Sequence, residues 1–309
     1  MTSSPGTSTL VIGAGGRHGG TGTHIVRRLR EHAHAVRVLV RTDDERAQHL
    51  RTLGAQTVVG DLLDNRTLDA AVADVDSIYF TYPVAPGIEA AAANLAVAVR
   101  RAGNRPRLVV MSMAVSAEAG PSGLGRAQWA AEEVLSWAGL EPTILRIKAL
   151  FFENLALLHG GSIRRTGRFS NSFGDAEVPW ISGLDAADLA VAALTDPAQY
   201  PSGTTHYPSG AVALSHADIA AALGAALGRP VRYTPVSARE WQHELEHLAH
   251  DDTSINTAMA QHISAVGSAF AALPPTPVDP AALEKAIGRT PQSFPDFLSE
   301  HRHHFVASA

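Results

Sequence analysis

Short apolar runs alternate with longer helix-like stretches through the first half of the chain. Residues 10–12, 35–40, 56–59, 77–82, 107–111 and 142–146 are brief, rich in Val, Ile, Leu and aromatic residues, and read as buried strands. Between them, residues 23–29, 45–53, 65–72, the alanine-rich 88–102 and 128–138 read as helices. A strand–helix alternation of this kind builds a doubly wound parallel sheet, because parallel neighbours need a crossover and the crossover is right-handed. Beyond Arg146 the rhythm breaks. Residues 151–159, 184–194, 215–227, 238–250 and 254–270 are helical candidates, with a short strand near 231–234, and residues 163–180 are rich in Gly, Ser and Asn with scattered aromatics. Pro274-Pro275-Thr276-Pro277 reads as a stiff linker to a last helix from Pro280, and His301-Arg302-His303-His304 as a solvated tail. The expected architecture is α/β, with a flexible N-terminus (1–8), a sheet domain (9–150) to which later segments return, and a smaller, mostly helical C-terminal cap (151–309).

The first apolar run leads into Gly13-Ala14-Gly15-Gly16-Arg17-His18-Gly19-Gly20-Thr21-Gly22 and then a helix. Glycines let the backbone turn sharply and approach a pyrophosphate, whose charge is favoured by the N–H groups of a helix start. A lone glycine triplet is weak evidence, but the next strand adds to it. That strand ends in Arg41-Thr42, where a unit binding NAD places an acid for the ribose 2′-hydroxyl; arginine there suits the 2′-phosphate of NADP. The alternative is a solvated Arg41 held by Asp43 or Asp44. Right-handed crossovers bring the loop, Arg41, Asp61, Tyr82 and Ser112 to the carboxyl edge of the sheet, where such folds bind ligands.

Composition narrows the functional classes. A chain of 309 residues with 45% hydrophobic residues buries a full core, and no run approaches the roughly 18 apolar residues of a membrane span. The opening residues lack the basic and apolar regions of a signal peptide, so a cytoplasmic location is expected. The absence of cysteine excludes disulfides, thiolate metal sites and a cysteine nucleophile. A formal charge of −5 with scattered basic residues gives no footprint for nucleic acid.

Taken together, the glycine loop, Leu39-Val40-Arg41, Val59-Gly60-Asp61-Leu62, Trp129-Ala130-Ala131-Glu132-Glu133, Thr143-Ile144-Leu145-Arg146, Phe151-Phe152-Glu153-Asn154 and Gly288-Arg289-Thr290-Pro291 resemble the NmrA-like branch of the atypical short-chain dehydrogenases/reductases. The resemblance covers nearly the whole chain. It implies a Rossmann sheet and NADP(H), with Gly13, Gly16, Gly19 and Gly22 around the pyrophosphate and Arg41 on the 2′-phosphate. Asp61 and Leu62 would border the adenine, and Thr81, Tyr82 and Ser112 would flank the ribose and nicotinamide. Met113, Phe151, Phe152, Asn154 and Trp180 would line a substrate pocket, although each also fits a core position. Two departures stand out. The loop offers four glycines at three-residue spacing, as if three residues were inserted, and Ile147-Lys148-Ala149 stands where the family commonly has a Pro-Gly.

Typical short-chain dehydrogenases pair a Tyr with a Lys four residues later so that the phenol protonates the oxygen receiving hydride. That pair cannot exist here, because the only lysines, Lys148 and Lys285, follow Ile144 and Ala281 at that spacing. A lysine or histidine ahead of the Glu-Glu helix in some members is Gln128 here. A quinone tolerates this absence, since hydride addition leaves a stabilised phenolate with a pKa near about 10 rather than an alkoxide. The expected reaction is therefore NADPH-dependent reduction of a quinone or conjugated carbonyl, polycyclic aromatic ones included, by a monomer or homodimer. Lys148 and Tyr82 are the catalytic candidates. The alternative is a non-enzymatic NADP(H) sensor acting through protein partners. His243-Glu244-Leu245-Glu246-His247 matches the zinc pattern H-E-x-x-H, but it lies on a late, Glu- and His-rich helix and no metal is expected. Asp185 and Asp188 are read as capping charges at a helix start.

Overall fold

The computed structural model describes residues 7–15, 20–251 and 255–306. Up to residue 147 the chain follows strand with helix in the expected order: β1 (Ser8–Ile12), α1 (Thr21–Glu31), β2 (Ala35–Val40), α2 (Glu45–Thr52), β3 (Gln56–Val59), α3 (Asp69–Val72), β4 (Ser77–Phe80), α4 (Ile88–Ala102), β5 (Arg107–Met113), α5 (Gly123–Trp137) and β6 (Thr143–Ile147). Then come β7 (Leu150–Phe151), α6 (Glu153–Thr166), β8 (Arg168–Asn171), β9 (Val178–Ile181), α7 (Gly183–Thr195), β10 (Thr205–His206), β11 (Val212–Leu214), α8 (His216–Leu227), β12 (Arg232–Pro235), α9 (Ala238–Asp251), α10 (Thr257–Ala271), α11 (Pro280–Ile287) and α12 (Phe294–His301).

Two compact units result. The first comprises Met1–Glu118, Arg126–Ile147 and Ala186–Tyr207. Its seven strands run β10-β6-β5-β4-β1-β2-β3, every neighbouring pair parallel. The order reverses between β1 and β4, the switch point beside which such sheets open a ligand crevice. Helices cover both faces, so the central strands are apolar throughout: Leu10, Ile12, Ile78, Phe80, Leu108 and Val110 form one core with Ala91, Leu95 and Val99 of α4 and Leu135 of α5. The returning segment is fastened by Arg107, whose guanidinium donates to the carbonyls of Ala193, at 2.7 and 2.9 Å, and of Tyr200. The expected helix over 65–72 is shorter. Asp64 and Thr67 bind local backbone groups and turn 65–67 into one 3-10 turn ahead of α3.

The second unit comprises Ala119–Gly125, Lys148–Asp185 and Pro208–Ala309. It is helical, but residues 163–180 also supply strands: β9 pairs with β7 and β11 in a three-stranded sheet, and β8 pairs with β12. Aromatic side chains placed too irregularly to show a period form its core. Phe152 stacks on Trp180 at 6.0 Å and packs on Phe294 and Phe297. The expected solvated tail is docked instead. His301 stacks on Phe297 at 4.4 Å, Phe305 is fully buried, and Arg164 donates to the His304 carbonyl at 2.6 Å. No helix among the described residues is long and apolar enough to cross a membrane.

Candidate dinucleotide site at the carboxyl edge of the sheet

The glycine loop has the geometry of a backbone cradle. Gly13 has φ +93°, and a Cβ there would lie 2.3 Å from Thr81 Cγ2, so only glycine fits between β1 and β4. A Cβ on Gly22 would lie 2.3 Å from Ala14 Cα; this glycine lets α1 pack directly on the loop. A Cβ on Gly15 would meet none of the described residues within 4 Å. α1 starts at left-handed Gly20 with no acid in its first turn and, among the described residues, no capping side chain, an arrangement that suits its N–H groups to an anion. Gly16 and Gly19 lie outside the described residues.

The end of β2 supplies positive charge. Arg41 is exposed and makes no ion pair among the described residues. The two acids that could hold it are engaged elsewhere: Asp43 pairs with Arg51 at 2.6 Å and Asp44 with Arg46 at 2.6 Å. Arg46 also donates to the Gly15 carbonyl at 3.2 Å, beside a cleft of about 230 Å³ lined by Ala14, Gly15, Thr23, Glu45, Arg46, His49 and Leu50. Arg46 is not among the candidates expected from the sequence, yet it carries a signal there: a cation in the first turn of a helix opposes the macrodipole and calls for another reason to be there.

At the end of β3, Asp61 Oδ1 accepts the Leu63 N–H at 2.9 Å, while the Asp61 N–H is held by Thr67 Oγ1 at 2.8 Å. Leu62 packs on the core, but Val59 and Leu63, 57% and 52% exposed, offer apolar surface. Both were missed, because a strand end and a loop leucine carry no periodic signal. Tyr82 donates its hydroxyl to the Pro86 carbonyl at 3.3 Å, beside Gly87. Burial, with Asp61 and Glu89, pushes its phenol up against the opposing Arg41 charge, so it is a poor acid near neutrality. Thr81 is half-buried and closes over Gly13.

Ser112 and Met113 end β5. The Ser112 hydroxyl donates to Glu132 Oε1, which also accepts from Ser116 at 2.8 Å, while Arg146 donates to Glu132 Oε2 at 2.5 and 3.0 Å. Ser112 and Arg146 are register partners on β5 and β6, so Glu132, 1% exposed, bridges neighbouring strands from α5. The first acid of the Glu-Glu motif is thus a buried, fully engaged anchor, and the Ser112 hydroxyl is committed to it. One turn earlier on α5, Gln128 is 5% exposed and its Nε2 has no hydrogen-bond partner among the described residues.

The remaining candidates belong to the second unit. Lys148 follows β6, is half-buried, and donates its backbone N–H to the Pro208 carbonyl at 2.8 Å. Phe151 and Asn154 are half-buried, whereas Phe152 and Trp180, each 1% exposed, are core residues rather than open pocket walls. Glu153 accepts the Gly183 N–H through both oxygens, at 2.9 and 3.1 Å; burial, with Asp185 adding to it, pushes its carboxyl up to about 7. Asp185 stands in the first turn of α7, as a capping charge does, whereas Asp188 lies a turn further in. Ser182 Oγ takes the Asp185 N–H, Asp185 pairs with Arg289 at 2.8 Å, and Asp188 of the first unit holds His24 and Arg28 at 3.0 and 3.1 Å. The H-E-x-x-H stretch lies on α9, where Glu244 accepts from Ser170 Oγ at 2.6 Å rather than serving the His243–His247 pair. No cluster of three metal-ligating side chains occurs among the described residues.

A parallel sheet with its order reversal at β1/β4, a left-handed glycine under β4 and an uncapped helix start define a dinucleotide-binding α/β protein of the Rossmann type. Residues 6–288 match the model of the NmrA-like family, to which the chain belongs. An NAD(P)H azoreductase of Xenophilus azovorans is 32% identical over 302 residues, 94% of this chain and 98% of that protein. Among solved structures, an NADPH-dependent quinone oxidoreductase from Escherichia coli in complex with NADPH superposes with TM-score 0.79 at 20% identity, covering 95% of this chain and 99% of that one. The triphenylmethane reductase of Citrobacter sp. with NADP(H) gives 0.76 at 20% identity, over 94% and 99%.

Proposed function

We propose that the protein is an NADPH-dependent reductase of conjugated acceptors, with quinones and conjugated, including polycyclic aromatic, carbonyls as the substrate class. The observation that carries this reading is the pairing of an α1 start without a capping side chain among the described residues with Arg41 just past β2, which makes no ion pair among them, and Arg46 in the first turn of α2. Gly13, Gly15, Gly20 and Gly22 fit a pyrophosphate, because a side chain at Gly13 or Gly22 would collide with Thr81 or Ala14 while one at Gly15 or Gly20 would meet none of the described residues within 4 Å. Arg41 and Arg46 hold the 2′-phosphate, and Asp61, Leu63 and Tyr82 border the nucleoside. NADPH, when bound, supplies a hydride equivalent. The protein's part is orientation and exclusion of water rather than proton delivery, since Tyr82 is a weak acid and Ser112 is tied to Glu132.

The azoreductase likeness supports the same acceptor class, because an azo bond flanked by arenes is, like a quinone, a π system that takes hydride and spreads the resulting charge. The test is oxidation of NADPH with simple and polycyclic quinones, aryl enones and azo dyes, alongside calorimetric titration of NADPH. Tight binding without turnover of any acceptor overturns the reductase reading in favour of a nucleotide sensor. Absence of NADPH binding overturns both.

A further inference from the structure

We infer that Gln128 is the hydrogen-bond donor to the electron acceptor. The inference rests on the reductase reading above and assigns a role to a side chain that the dinucleotide does not require. α5 connects β5 to β6 in a parallel sheet and so runs antiparallel to the strands, starting at their carboxyl ends. Glu132 is level with the end of β5, because it accepts from Ser112. Gln128 lies one turn earlier, about 6 Å further along the helix axis, which carries it beyond the strand ends toward the ligand crevice. It shares the inward face of α5 with Ala131, Glu132 and Leu135, all buried.

Every hydrogen-bonding atom of the neighbouring Glu132 is satisfied, by Ser112, Ser116 and Arg146. The Gln128 Nε2, also buried, has no partner among the described residues. A buried amide N–H without a partner costs free energy that a leucine of similar size avoids, so its retention points to a partner that arrives with the substrate. The chemistry agrees. Hydride from NADPH adds to a ring carbon of a quinone, the conjugated π electrons move to a carbonyl oxygen and an enolate charge forms there; water protonates that oxygen, and loss of the ring C–H proton to solvent with protonation of the second oxygen gives the hydroquinone. An amide N–H stabilises that oxygen in the transition state without itself giving up a proton. This suits conjugated acceptors, whose anion needs no strong acid, and disfavours simple ketones, whose alkoxide does.

The experiment compares the full chain with Gln128→Leu and Gln128→His. Gln128→Leu is expected to lower kcat with a quinone roughly 10- to 100-fold, within the range for loss of one oxyanion donor. NADPH affinity should stay within twofold, and the melting temperature of the nucleotide-free protein should be unchanged or raised. Gln128→His should restore turnover in part through the N–H of its neutral imidazole; because burial holds an imidazole unprotonated, as at His159 and His216, both this variant and the wild type should stay flat over pH 6–9. A Gln128→Leu protein that turns over normally overturns the assignment, as does one whose melting temperature falls in step with its activity, which marks a packing residue. A wild type that binds NADPH but reduces no acceptor overturns the reductase reading and this assignment together. It is told apart from the other outcomes because the failure then precedes any substitution.

Discussion

Replacing Arg41 with Ala tests the cofactor site most directly. The side chain is exposed, and its two neighbouring acids are taken by Arg51 and Arg46, so its charge is not committed inside the protein. A charge-assisted hydrogen bond to a 2′-phosphate contributes about 1.5–3 kcal/mol, and Arg41→Ala should raise the NADPH dissociation constant roughly 10- to 150-fold. NADH, which lacks the phosphate, should bind within a factor of two of wild type. Arg46→Ala should cost less, about 1 kcal/mol or under, because Arg46 already spends much of its charge on Asp44 at 2.6 Å in an exposed pair. Stability is the internal control: an exposed arginine without an ion pair can be removed with little change in melting temperature. Calorimetric titration of both nucleotides against the three proteins measures all of these quantities. Equal losses for NADPH and NADH, or a wild type that prefers NADH, would refute the placement of the 2′-phosphate on this strand end.

Stability should depend on pH through buried groups of opposite sign. Burial holds His159 and His216 at about 3 and His262 at about 4, below the unfolded value near 6.5. The unfolded chain therefore takes up protons first, and stability should drop as pH falls below about 6.5, by roughly 2 kcal/mol per buried histidine at pH 5. Glu153 has the opposite sign. Its folded pKa of about 7 lies above the unfolded value, so its contribution is present below about pH 4.5 and lost as pH rises through 7, and Glu153→Gln should raise the melting temperature at pH 8 but not at pH 5. Thermal melts from pH 4.5 to 8.5 check both limbs, and a protein equally stable at pH 5 and 7 would contradict the histidine argument. Lys148→Met should change quinone turnover by less than tenfold over pH 6–9 at unchanged NADPH affinity; a hundredfold loss would make Lys148 the proton donor and bring simple ketones back as substrates.

The strands and the loop were legible because local rules set them. Apolar runs of four to seven residues bounded by Gly, Asp or Pro have few ways to be buried, and Gly13 and Gly22 occupy positions where the backbone leaves no room for a Cβ. Arg41 was legible for a related reason, as the residue that follows a strand in a fixed topology. Sequence order could not say which acids would engage it; Asp43 and Asp44 stand closest in the chain, yet each turns to another arginine. Aromatic identity likewise suggested a pocket at Phe152 and Trp180, where packing placed a core. Asp185 keeps its place in the first turn of α7 and also pairs with Arg289, more than a hundred residues away, while Asp188 is drawn to His24 and Arg28, 160 or more residues away. Glu132 and Gln128 differ in sequence only by residue type, one turn apart on the same helix. Tertiary contact alone made one a saturated anchor and left the other with an N–H unmade, because hydrogen-bond satisfaction is a property of the assembled surroundings and has no period along the chain.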